Sequence, residues 1–117
     1  MTGYDIYKRA SALLGYEIQN EDTAENQSFI NRLPFLINQI LAELKTKPIE
    51  NLYDKIELAP KSQEAVCYGT AMLIALSESD GTKNQIFANI YNAKRASALS
   101  KTDKINDVLP SVGSGGI

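Results

Sequence analysis

The chain has 117 residues, no histidine and a single cysteine, Cys67. Histidine titrates near neutral pH and is the commonest transition-metal ligand, so its absence removes the usual general base and the usual zinc or iron site. A serine or cysteine nucleophile would have no histidine to activate it. One cysteine rules out an intramolecular disulfide. Its place in an apolar run favours a buried, inert thiol over a reactive one and suits a reducing cytoplasm. A Gly-rich phosphate loop is missing as well, because Gly113, Gly115 and Gly116 follow no strand and precede no helix. The carboxylates form no calcium-loop pattern, and Glu21, Asp22 and Glu25 are better explained as charge at a helix start. No catalytic, cofactor-binding or metal-ligating residue is expected, and the chain reads as non-enzymatic.

Long hydrophobic runs are also lacking. The longest near-apolar stretch, Ala65 to Leu76, is shorter than the roughly 20 residues that span a bilayer. The N-terminal segment carries Lys8 and Arg9 where an export signal would be apolar. A soluble intracellular protein without membrane partners is expected. A formal net charge of -2 gives no reason for strong non-specific attraction to nucleic acid or anionic lipid.

What is present is helical pattern, in a chain 44% hydrophobic and long enough for one domain with a real core. The first helix is expected to start at Thr2, with Asp5 near its positive end. It continues through the stripe Ile6, Ala10, Leu13 and Leu14 and stops at Gly15. An acidic, polar loop from Tyr16 to Asp22 follows. Asp22 and Glu25 have capping-box spacing for a second helix that keeps period from Phe29 to about Lys45, with a kink or break expected near Asn31 to Leu33 because of Pro34. Residues 46 to 61, bracketed by Pro48 and Pro60, predict a long ordered loop, either functional or merely packed over the core. A third helix from Ser62 to Ser79 is apolar nearly all round and belongs in the middle of a bundle, with Ala65, Gly69 and Ala75 admitting close neighbours. Asp80-Gly81 is the expected stop. Thr82 with Gln85 would cap a fourth helix carrying Ile86, Phe87, Ile90 and Tyr91 and fading near Ser100. The expected fold class is all-α: a small bundle of four main helices, with a long ordered loop between the second and third. Residues 1–100 form the helical domain, and 101–117 a C-terminal tail, amphipathic at first and flexible from Pro110.

Charge is unevenly placed along the second half. Residues 50–80 carry Glu50, Asp54, Glu57, Glu64, Glu78 and Asp80 against Lys55 and Lys61, whereas 82–104 carry Lys83, Lys94, Arg95, Lys101 and Lys104 against Asp103. Such a module suits head-to-tail contact between copies, and two separately solvated faces would give the same pattern. Tyr91, Lys94 and Arg95 fall at i, i+3 and i+4, a basic edge that either touches DNA or answers the helix dipole. A helix-turn-helix DNA reader is weakened by Lys83 being the sole basic residue in the first two turns of the fourth helix.

Five segments point further: Ala12-Leu13-Leu14-Gly15-Tyr16, Leu33-Pro34 followed by Ile37-Asn38-Gln39-Ile40-Leu41-Ala42-Glu43-Leu44, Tyr68-Gly69-Thr70-Ala71-Met72-Leu73, Asp80-Gly81, and Tyr91-Asn92-Ala93-Lys94-Arg95. With these, residues 2 to 100 resemble the small head-tail connector (adaptor, or head completion) proteins of tailed phages and prophages of Gram-positive bacteria. Ser79 stands where that pattern would place a smaller residue, often glycine. The resemblance implies a short helical bundle that forms a ring beneath the portal in the virion neck, after assembly in the host cytoplasm. The implied partners are copies of itself, the portal protein, a tail or neck completion protein, and DNA that passes through without specific binding. A closed ring requires two different complementary faces on each copy. The candidates for the subunit or portal interface are Ile49, Leu52, Tyr53 and Ile56 of the loop, with Tyr91, Lys94, Arg95, Lys101 and Lys104. The alternative function is a small helical DNA-associated packaging or regulatory protein.

Overall fold

Thr2 and Asp5 cap each other at the start of the first helix. The Asp5 amide donates to the Thr2 hydroxyl at 3.2 Å, and the Thr2 amide donates to the Asp5 carboxylate at 2.9 Å. This bond from the Thr2 backbone is the chief reason the Asp5 carboxyl lies below its ordinary pKa. At the other end Gly15 adopts φ 78°, and the Gly15 and Tyr16 amides return to Ala12 and Ser11. That paired closure of orphan carbonyls is what a left-handed residue after a helix permits. The computed structural model describes residues 1–18 and 24–108, with the side chains of residue 25 and residues 101–108 excepted. The expected Asp22/Glu25 capping box, most of the acidic loop and the tail from residue 109 lie outside the described residues.

Four helices, α1 (Gly3–Leu14), α2 (Ala24–Glu43), α3 (Pro60–Ser77) and α4 (Gly81–Val108), with no strand among the described residues, make an all-α fold. α3 is the central element and packs against all the others. Its buried set, including Ala65, Val66, Cys67, Gly69, Ala71 and Ile74, faces in several directions. Burial pushes the Cys67 thiol up to about 11, so it stays protonated near neutral pH. Gly69 makes the tightest approach: a methyl group there would lie 2.8 Å from the Tyr91 ring of α4 and 2.9 Å from Ile40 of α2.

Several expected boundaries are corrected. α2 runs unbroken through Pro34, because Leu33 and Ile37 on either side are fully buried and their packing holds both halves in one helix. α3 starts at Pro60, two residues before Ser62, since proline at the first helical position gives up an amide that has no helical partner anyway. The left-handed residue after α3 is Ser79 (φ 59°) rather than Gly81, with the Ser79 and Asp80 amides returning to Leu76 and Ala75. Asp80, not Thr82, caps α4: its carboxylate accepts the Lys83 amide at 3.1 Å. α4 continues to Val108, past Ser100, because no glycine or proline intervenes before Pro110.

The segment 46–59 is an ordered loop held by specific bonds. The Asn38 side chain donates to the Ile49 carbonyl and accepts from the Ile49 amide, both at 2.8 Å. The Tyr4 amide donates to the Leu52 carbonyl and the Ile56 amide to the Met1 carbonyl. Gly3 permits this contact, since a Cβ there would meet the Leu52 carbonyl oxygen at 2.8 Å. Asp54 gathers the Glu50 and Asn51 amides, which hold its carboxyl below the ordinary pKa.

Gly69→Leu is expected to cost about 1–3 kcal/mol or more by forcing α2 and α4 away from α3, read as a fall in Tm on thermal denaturation. An unchanged Tm would show that the helices separate there without penalty. Ser79→Gly is expected to gain roughly 0.5–1 kcal/mol, because glycine adopts the left-handed conformation without strain, and a lowered Tm would contradict this.

Candidate functional site

The interface residues expected from the sequence do not share one surface. Ile49, Leu52 and Ile56 are buried in the core, clamped by Asn38 and by the start of α1, so they offer nothing to a neighbour of the folded chain. Of that loop only Tyr53 stands out, 63% exposed. Tyr91 is 2% exposed. Its hydroxyl donates to Glu43 of α2 at 2.6 Å, and burial followed by that bond holds the phenol well above the usual tyrosine range. The side chains of Lys101 and Lys104 lie outside the described residues.

Lys94 and Arg95 are engaged within the chain. The Lys94 ammonium lies 2.6 Å from Glu64 of α3 and 5.3 Å from the centre of the Tyr68 ring, and Arg95 lies 3.8 Å from Glu43. In the antiparallel α3–α4 hairpin, the acidic and basic stretches therefore meet at Glu64 and Lys94 inside one molecule, so this pair is engaged within the chain rather than held for a neighbouring copy. It also weakens the DNA-contact reading, because these cations already have carboxylate partners. Their mutual bond raises the pKa of Lys94 and lowers that of Glu64.

Exposed apolar groups mark other surfaces. Phe35 (67% exposed) stands on α2 opposite the buried stripe of Leu33, Ile37, Ile40 and Leu41. Leu76 (61%) lies at the end of α3 and Ile86 (49%) on α4. An aromatic strip runs from the loop across α1 to α2: Tyr53 to Tyr4 at 5.6 Å between ring centres, Tyr4 to Tyr7 at 6.0 Å, and Tyr7 to Phe29 at 6.1 Å. Two cations lie over it, Lys8 at 5.3 Å from the Tyr4 ring and Arg32 at 5.7 Å from Phe29. Phe35, six residues after Phe29, lies about 120° further round α2 and is a separate exposed group.

The strip ends at an open pocket of about 660 Å³. Tyr7, Tyr16 and Phe29 wall it, and Glu17, Glu78 and Asp80 supply its carboxylates. The end of α1, the first half of α2 and the α3–α4 turn bring these groups together. The Tyr16 hydroxyl donates to Asp80 at 3.3 Å. Burial first, then the negative charges of Asp80 and Glu78, raise the Tyr16 pKa. Lys83 braces the rim: its ammonium donates to the Leu14 carbonyl at 2.7 Å, lies 4.0 Å from Asp80 and 4.6 Å from the centre of the Tyr16 ring. Among the described residues no three histidine, cysteine or carboxylate side chains converge closely enough to hold a metal ion. Sequence reasoning missed this pocket. The acidic character of 78–80 was its one local signal, and nothing in the sequence placed Tyr7 and Phe29 beside it.

Lys94→Ala is expected to lower the Tm relative to the parent chain, with the gap widest near neutral pH. The Glu64 pKa is depressed on folding, so that contribution is present above its ordinary value of 4.5 and is lost as pH falls through the folded value. The Lys94 pKa is raised, so its contribution is full below its ordinary value of 10.5 and is lost as pH rises through the folded value. Thermal denaturation of both chains across pH checks this. A gap that stays constant in acid would mean that the pair contributes nothing.

Compared with known protein families, curated proteins and solved structures, the chain has no match.

Proposed function

We propose that this chain is a structural, non-enzymatic head-tail connector subunit of a tailed phage or prophage, one that assembles into a ring on the portal and links it to the tail. The observation that carries this reading is the exposed Tyr53 with the half-buried Tyr4 and Phe29, joined through the buried Tyr7 and bearing Lys8 and Arg32 over the Tyr4 and Phe29 rings. Tyrosine, phenylalanine and arginine are the residues in which protein interfaces are enriched, and rigid aromatics tend to supply their anchors. Leu76 and Ile86 add exposed apolar groups on other helices, and a subunit that closes a ring needs more than one contact face. The packing motifs that resemble the connector family supply the identity of the assembly. The portal protein and a tail or neck completion protein are its proposed partners, with the virion neck as its place.

Mass spectrometry of phage particles induced from the source cell is expected to find the chain in intact virions and still with the neck after mild disassembly. Its absence from intact virions overturns the proposal. A Phe35→Asp/Tyr53→Asp variant should keep helix content and Tm, both positions being solvent-facing, while tail-bearing particles are lost. Normal particle yield with that variant would remove Phe35 and Tyr53 from the interface.

A further inference from the structure

The carboxylates of the pocket beside the α3–α4 turn differ in how far contacts among the described residues engage them. Asp80 is committed: it caps α4, accepts the Tyr16 hydroxyl and lies near the Lys83 ammonium. Glu17 and Glu78 take part in no ion pair among the described residues. Aromatic walls and carboxylates outside any ion pair among the described residues together fit a cation on an apolar stem. The methylenes would pack on Tyr16 and Phe29, with the charge between Glu17 and Glu78.

Matching groups stand at the opposite end of the molecule. Lys45, Lys47, Lys55 and Lys61 are all exposed and belong to no ion pair among the described residues. They lie on the segment that joins the end of α2 to the start of α3, whereas the pocket lies at the other ends of those helices. The 18 residues of α3 span about 27 Å, beyond the reach of a lysine side chain, so a lysine from this segment does not fill its own pocket.

We infer that the pocket is the receptor for a lysine from the 45–61 segment of a second copy of this chain, so that copies join head to tail. This rests on the assembly reading and gives the contact between copies its direction. The interface is heterologous, with the acidic pocket of one copy meeting the lysine-bearing end of the next.

The test uses two variants of the full chain in analytical ultracentrifugation. One, Glu17→Lys/Glu78→Lys, loses the receptor and keeps the lysines; the other, with Lys45, Lys47, Lys55 and Lys61 all changed to Gln, does the reverse. The parent chain should self-associate, less so in high salt, and each variant alone should associate about tenfold or more weakly. Mixing the two should restore pairing, because the lysines of one still fit the pocket of the other, and the mixture should stop at one-to-one pairs. Circular dichroism checks that each variant is folded, and Glu17→Gln/Glu78→Gln replaces the reversal if it unfolds. A parent chain that stays monomeric, association equal to the parent's in both variants, or a mixture that fails to pair each overturns the inference. If the chain is nonetheless found in the neck, the assembly reading stands and only the pocket contact falls. Absence from virions sinks that reading whatever the ultracentrifuge shows.

Discussion

Because α3 is surrounded by the other three helices, the position of each depends on how closely it can approach, and at Gly69 the limit is set by a missing side chain. There the Tyr91 ring and Ile40 come within distances that a Cβ would forbid. Tyr91 in turn reaches Glu43, so α4 is tied both to α3 and to the end of α2. Where α2 ends determines where the 46–59 loop begins, and Asn38, from the middle of α2, fixes that loop's path by holding both backbone groups of Ile49. The start of α1 then lies against the loop through Tyr4 and Met1. One close helix contact thus propagates through polar clamps to the first residues of the chain.

Local chemistry was legible and long-range pairing was not. Thr2 with Asp5 marks the start of α1 and Gly15 its end, each through groups a few residues away, so local spacing identified both ends. Pro34 misled for a tertiary reason: proline removes one backbone bond, while the apolar residues on either side of it bury several side chains in the same core. Asp80-Gly81 marked the break between α3 and α4, but the two residues divide differently from the expectation: Ser79 takes the left-handed conformation, Asp80 caps α4 and Gly81 is its first residue. The i+3 and i+4 spacing of Lys94 and Arg95 from Tyr91 was visible. Their partners Glu64 and Glu43 stand far away in sequence, and only the folded hairpin brings them together. The loop was the mixed case: its order was anticipated, but the inward direction of Ile49, Leu52 and Ile56 depended on Asn38 and Gly3.

The candidate site divides in the same way. Tyr53 kept its place on the surface, and the rest of the aromatic strip came from helix faces whose relative placement no single segment encodes. The pocket is built from three separate elements, and the turn that bears Glu78 and Asp80 exists in its present form because Ser79 accepts a strained conformation. The pocket's shape and the boundary between α3 and α4 are therefore one structural decision.

The clasp between the first residues and the 46–59 loop also bears on the order of folding. α3 and α4 are neighbours in sequence and share the most extensive contact, so their hairpin closes a short loop and forms early. The Met1–Ile56 and Tyr4–Leu52 bonds close more than forty residues of chain and gain little until the helices they rest on are in place. An opening of the clasp while the helices hold would be a local opening of the kind that folded chains undergo. Each opening uncovers Ile49, Leu52 and Ile56 together, an apolar segment that neighbouring chains in a concentrated solution can trap before it closes.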